Sequence, residues 1–139
     1  MREYWREFEG RAQGLHLELA CRGDTWTDYR LAEASKDLLR VWSDRSRSFV
    51  AVGLLLYDQP RDHFDSLLRQ RESLEESFQA LVWDSSRLCN RDPYAWVGLC
   101  HDCDPGDPSD RQAQHTWLLA NLQRFYSVIK PRWDGLPGR

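Results

Sequence analysis

The stretch Phe49 to Tyr57 constrains this chain more than any other, because every residue in it except Gly53 is apolar or aromatic. It is far shorter than the ~20 apolar residues that a membrane helix needs. With no polar face, it reads as a central strand covered on both sides. Two more strand-like runs precede it. Thr25 to Ala32 is rich in aromatic and β-branched residues. Asp37 to Ser43 alternates, with Leu39 and Val41 on one face and Leu38, Arg40 and Trp42 on the other. The polar gap Asp44-Arg45-Ser46-Arg47-Ser48 has hairpin length. Consecutive strands joined this tightly predict an antiparallel arrangement.

Helical periodicity surrounds these runs. Near the start, Trp5, Phe8 and Ala12 share one helical face with Tyr4 beside them, and Gly14 is a stop. Between Leu15 and Asp24 no clear element emerges: Leu15, Leu17 and Leu19 alternate, then Cys21-Arg22-Gly23-Asp24 reads as a turn. A helix is predicted over 60–79, capped by Asp58, with Pro60 in its first turn and Phe64, Leu67, Leu68, Leu74 and Phe78 at helical spacing. Ala80 to Asp84 and Tyr94 to Cys100 read as strands. A last helix over about 110–130 opens on a Ser109/Gln112 capping box, carries Leu118, Leu122, Phe125 and Ile129 on one stripe, and stops at Pro131. The expected fold is α+β: a five-stranded, largely antiparallel sheet in the element order α-β-β-β-α-β-β-α, with helices packed mainly on one face. Residues 1–133 are expected to form one domain and 134–139 a flexible tail.

With 19 basic and 22 acidic residues the net charge is −3, which disfavours broad, charge-driven duplex binding but leaves room for a local basic strip. The N-terminal residues Met1-Arg2-Glu3-Tyr4-Trp5-Arg6-Glu7 lack the apolar centre of a signal peptide. A cytoplasmic protein with no membrane association is expected. Its four cysteines, Cys21, Cys89, Cys100 and Cys103, are then reduced thiols rather than a disulfide framework.

Several short motifs, taken in order, resemble an uncharacterised prokaryotic domain family that occurs alone or C-terminal to restriction-nuclease-like PD-(D/E)XK modules. They are Tyr4-Trp5-Arg6-Glu7-Phe8, Val52-Gly53-Leu54-Leu55-Leu56-Tyr57 and Phe64-Asp65 with Leu67. Arg71-Glu72, Leu74-Glu75 and Leu81-Val82-Trp83 follow, and then Trp117-Leu118, Arg124-Phe125-Tyr126 and Ile129-Lys130-Pro131-Arg132. The resemblance covers almost the whole chain. It implies an intracellular role beside nucleases, in defence or anti-defence, and it carries no catalytic residues with it.

Cys100-His101-Asp102-Cys103, with Cys89 upstream, has the ligand types of a zinc site. However, Cys100 and His101 are adjacent on a strand end, so their side chains diverge, and plain thiols are the better reading. A redox role for the C-x-x-C pair is opposed by the aspartates that follow it, which raise a thiol pKa. Asp102, Asp104, Asp107 and Asp110 lack the ligand ladder of a calcium loop and read as turn residues. A nuclease core needs E-x-K on the strand after a carboxylate. Asp28 followed by Glu33-Ala34-Ser35-Lys36 is one residue too long, which puts Glu33 and Lys36 on opposite faces of a strand. His16, His63, His101 and His115 show no shared spacing with a nucleophile. No catalytic set and no cofactor are expected.

Seven tryptophans are unusual in so short a chain. Trp5, Trp83 and Trp117 fall at core positions. Trp26, Trp42 and Trp96 fall in strands and are expected to share a sheet face. Arg30 and Arg40 lie on neighbouring strands, and Arg45 and Arg47 in the joining loop; Asp28, Asp37 and Asp44 dilute this strip. The face bearing Trp26, Arg30, Arg40, Trp42, Arg45 and Arg47 is therefore the candidate binding face. It is suited to a protein partner or a second copy of the chain, or alternatively to stacked nucleic-acid bases.

Overall fold

The computed structural model describes residues 2–32, 36–57, 62–84 and 95–136. Helix α1 spans Arg2–Ala12 and is followed by strands β1 (Leu19–Arg22), β2 (Trp26–Arg30), β3 (Leu38–Asp44) and β4 (Phe49–Leu56). Helices α2 (Asp62–Leu68) and α3 (Arg71–Ser77), strands β5 (Val82–Asp84) and β6 (Ala95–Asp102), and helix α4 (Arg111–Asp134) complete the chain. One sheet runs β1-β2-β3-β4-β6-β5, with every neighbouring pair antiparallel.

The α+β class and the antiparallel sheet are as expected, but the sheet has six strands rather than five, and four strands, not three, precede the second helix. The extra strand, β1, is a short, mostly exposed edge that is bulged between Leu19 and Cys21. An edge strand with one face in water and no apolar repeat leaves little trace in composition.

The β2–β3–β4 run follows the reading closely. Its hairpin between β3 and β4 is tied by Asp44, whose Oδ1 accepts hydrogen bonds from Ser46 Oγ at 2.7 Å and Arg47 N at 3.0 Å. Leu39, Val41, Val50, Val52, Leu54, Leu56, Val97 and Leu99 line one face of the sheet. Against them pack Tyr4, Trp5 and Phe8 of α1 and Leu118, Leu122, Phe125, Ile129 and Trp133 of α4.

Three helix features differ from expectation. The single helix over 60–79 is broken at Arg69-Gln70 into α2 and α3. In an unbroken helix Arg71 would fall about two turns beyond Phe64, on the buried face; in α3 it is exposed and pairs with Glu75 at 2.7 Å. Helix α4 runs through Pro131 to Asp134 instead of stopping there. Proline removes one N–H, but the turn beyond it is anchored by fully buried Trp133, and Leu136 is also in the core. The turn leading into α4 is capped by Asp107, which accepts from Ser109 N at 2.9 Å, rather than by Ser109. The Asp58 cap, Cys89 and residues 137–139 lie outside the described residues.

Asp37, read from sequence as a diluting surface charge, is fully buried. Its Oδ1 accepts from Tyr57 N at 2.9 Å, and its Oδ2 lies 2.7 Å from His63 Nδ1 and 2.9 Å from Trp133 Nε1. One carboxylate thus joins the start of β3, the end of β4, α2 and the last turn of α4.

Candidate interaction face

Because side chains alternate along a strand, the sheet face turned away from the helices carries Trp26, Asp28 and Arg30 of β2, and Leu38, Arg40, Trp42 and Asp44 of β3. Phe49, Ala51, Gly53 and Leu55 of β4 and Trp96, Gly98 and Cys100 of β6 continue it. The pairing register sets Trp26 opposite Trp42, Trp42 opposite Ala51, and Leu55 opposite Trp96. The three indoles therefore share a face, as the strand reading predicts. Trp42 and Trp96 meet edge to face, with ring centroids 5.3 Å apart and planes at 87°. All three are half-buried, whereas Ala51 beneath them is fully buried and Leu55 nearly so.

Glycine makes this arrangement possible. A Cβ on Gly98 would lie 2.4 Å from Val52 O and 2.8 Å from Gly53 Cα, and Trp96 Cζ3 would be 3.1 Å away. The paired glycines lower the sheet floor so that the Trp96 ring can lie across it. A groove of about 230 Å³ results, with Trp26, Arg40, Trp42, Phe49, Leu55 and Trp96 among its walls.

The basic residues behave less uniformly than the sequence implies. Arg40 and Arg47 line the groove together with Asp44 and Asp84; Arg30 and Arg45 do not. Arg40 is committed internally. Its Nε and Nη2 donate to the two oxygens of buried Asp28 at 2.7 and 3.0 Å, and its guanidinium lies 4.3 Å from the Trp26 ring centroid. Burial opposes the Arg40 charge, but the Asp28 hydrogen bonds and charge more than compensate and hold its pKa above the ordinary value. Arg30 sits 3.5 Å from Glu18. Arg47 is 3.9 Å from Asp44, whose carboxyl is held below its usual range first by the Ser46 hydrogen bond and then by the Arg47 backbone N–H. Asp84 accepts from Trp96 Nε1 at 3.1 Å and so orients that ring. Phe49, Leu55 and Asp84 were not singled out from sequence. Strand alternation alone pairs Phe49 with Leu55, but joining them to Trp96 needs the β4–β6 register.

The C-x-x-C segment does not converge. Cys100 is exposed at the far end of this face, while His101 points to the other side and stacks on Trp117, with centroids 5.0 Å apart. Cys103 lies beyond the strand end, where its N–H donates to Ser48 O at 3.1 Å. Burial, then neighbouring aspartates, raise the pKa of both the Cys100 and Cys103 thiols. Among the described residues no three His, Cys, Asp or Glu side chains gather as a metal site. No helix there is long and apolar enough to cross a membrane.

The chain belongs to the family described as "Domain of unknown function (DUF4268)", whose model matches residues 1–133. No curated protein and no solved structure matches it.

Proposed function

We propose that this DUF4268 domain is a non-enzymatic interaction module that docks a protein partner, or a second copy of the chain, on its open sheet face. The observation that carries this reading is the set of half-exposed indoles Trp26, Trp42 and Trp96 around a groove that Phe49 and Leu55 also line. Tryptophan is costly to leave in water and is the residue most enriched at the energetic centres of protein interfaces. The charges favour a protein over a phosphate backbone: Arg30, Arg40 and Arg47 each stand against a carboxylate of the same chain. Binding to nucleic acid would need those cations free.

The motif resemblance extends the proposal to a cytoplasmic, prokaryotic setting beside nucleases, in defence or anti-defence. The nucleic-acid reading retains the exposed Arg45 and the stacking capacity of the indoles.

Sedimentation and gel-shift measurements separate these readings. Trp42→Glu places a charge at the groove centre. It is expected to weaken association with the partner, or self-association, about thirtyfold or more, the scale of an interface tryptophan. Arg45→Glu with Arg47→Glu tests nucleic acid without disturbing the Arg40–Asp28 pair. A salt-sensitive shift with DNA or RNA that this double variant abolishes would replace the protein-docking reading. Association that Trp42→Glu leaves untouched would remove the open face from the account.

A further inference from the structure

The outer edge of β6 is open where β5 ends. Strand β6 has eight residues, but β5 has three and pairs only with Trp96, Val97 and Gly98. Two residues before β5, Ala80 has φ 55°, in the left-handed region that a strand does not adopt. Among the described residues, those of β6 beyond Gly98 therefore have no strand on that side. Their backbone direction follows from one hydrogen bond: Cys103 N donates to Ser48 O across the β4 side. In an antiparallel pair, residues alternate between facing the partner and facing away. Leu99 and His101 thus bond β4, while Cys100 and Asp102 turn their N–H and C=O outward. No backbone hydrogen bond reaches these groups among the described residues.

Beside this edge lies a groove of about 440 Å³. Leu99 and Cys100 form one wall, Trp117, Asn121 and Arg124 of α4 the other, and the turn through Ala80 closes one end. Arg124 donates to the Ser77 carbonyl and lies 5.2 Å from the Phe78 ring centroid. Glu76 is on the same rim, yet no carboxylate among the described residues forms an ion pair with Arg124. An unpaired strand edge, a flanking helix and an unneutralised cation make up a recognisable mode of binding, the addition of an extended peptide as a further strand.

We propose that the free edge of β6 together with Arg124 docks an extended segment of a partner protein, which pairs with Cys100 and Asp102 and sets an acidic side chain against Arg124. The site is separate from the tryptophan groove and does not depend on it. The backbone groups select an extended chain, and Arg124 selects its charge.

The test uses the full chain, backbone amide exchange and a displayed library of random peptides. In the free protein the Cys100 and Asp102 amides are expected to exchange fast and those of Leu99 and His101 slowly. Enriched peptides are expected to carry an acidic residue within a β-branched stretch and to slow exchange at Cys100 and Asp102. Arg124→Glu should weaken them about tenfold or more, the scale of a lost charge-assisted hydrogen bond. Asp102→Pro should do the same by removing an outward N–H, with no ladder bond to β4 lost. Should Asp102→Pro fail to fold, Arg124→Glu and the exchange pattern decide. Trp42→Glu is expected to leave peptide affinity unchanged, so the two sites fail separately. The proposal is overturned if no peptide is enriched, if enriched peptides ignore both variants, or if the Cys100 and Asp102 amides are already protected in the free chain. Protection at those amides that grows with protein concentration, without peptide, would identify a second copy as the occupant and also overturn it.

Discussion

Replacing Asp37 by alanine removes the acceptor shared by Tyr57 N, His63 Nδ1 and Trp133 Nε1. A carboxylate only accepts, so the 2.7 Å contact fits the His63 tautomer with its proton on Nδ1. Asp37 and Trp133 are fully buried and His63 is 4% exposed, so water cannot easily take the place of the lost oxygens. Each buried donor stripped of its acceptor costs about 1–3 kcal/mol. Partial relaxation brings the total for a broken buried charged cluster to about 3–5 kcal/mol. For a domain whose whole stability is about 5–15 kcal/mol this is a large fraction. Asp37→Asn keeps one oxygen for Tyr57 N, and its amide can donate to His63 in the other tautomer, so that chiefly the hydrogen bond from Trp133 Nε1 is lost and the cost is smaller. In urea unfolding followed by tryptophan fluorescence and circular dichroism, Asp37→Ala should lower the midpoint by about 2 M with little change in slope. Asp37→Asn should fall between it and the parent. A midpoint within about 0.5 M of the parent for Asp37→Ala would refute the claim that this carboxylate ties the helices to the sheet.

Three further outcomes follow from buried or crowded positions. Burial, then Arg11 and Arg111, push the pKa of His115 down to about 4 from 6.5, while Glu7 lies 3.9 Å from its Nδ1 and the Tyr4 and Phe8 rings enclose it. Between those values the unfolded chain takes up a proton that the folded chain refuses. His115 therefore leaves stability intact above about pH 6.5 and erodes it by up to about 3 kcal/mol as pH falls toward 4. His115→Phe should flatten that part of the pH profile of thermal melting, and an unchanged profile would contradict the burial argument. Gly98→Ala should destabilise by about 1–3 kcal/mol in the same urea assay, because its Cβ would meet backbone atoms that cannot rotate aside; a neutral result would mean that β4 and β6 can separate freely. Arg40→Ala should cost about 2–4 kcal/mol by leaving Asp28 buried without its partner, whereas Arg47→Ala at the exposed hairpin should cost about 0–1 kcal/mol. Equal effects would show that Arg40 is no more structural than its neighbour.

The parts of this molecule that were legible in sequence are those where one residue type repeats at one spacing. Leu39 and Val41 against Leu38, Arg40 and Trp42 fixed the two faces of β3, and the apolar density of Phe49–Tyr57 fixed its place in the middle of the sheet. That was enough to set Trp42 on the open face, opposite Trp26; joining Trp96 to them takes the β4–β6 register. What escaped depended on contacts between residues far apart in the chain. Asp37 looks like any strand-end aspartate until Trp133, 96 residues away, is folded onto it. The neutralisation of Arg40 needed the β2–β3 register, which sets it opposite Asp28. Pro131 follows the local rule for ending a helix, but the burial of Trp133 and Leu136 overrides that rule. Strand β1 lacks an apolar repeat because an edge strand has so little to bury.

The proposed docking of another protein on the indole groove of the open sheet face makes one demand above all: binding must depend on Trp42. Quantitative co-purification from cells that natively make the chain, with wild type and Trp42→Glu side by side, tests it most directly. A defined partner, or a second copy, is expected to be recovered with the wild type and lost with a Trp42→Glu protein whose circular dichroism and urea midpoint match the parent. Equal recovery by the two would contradict it.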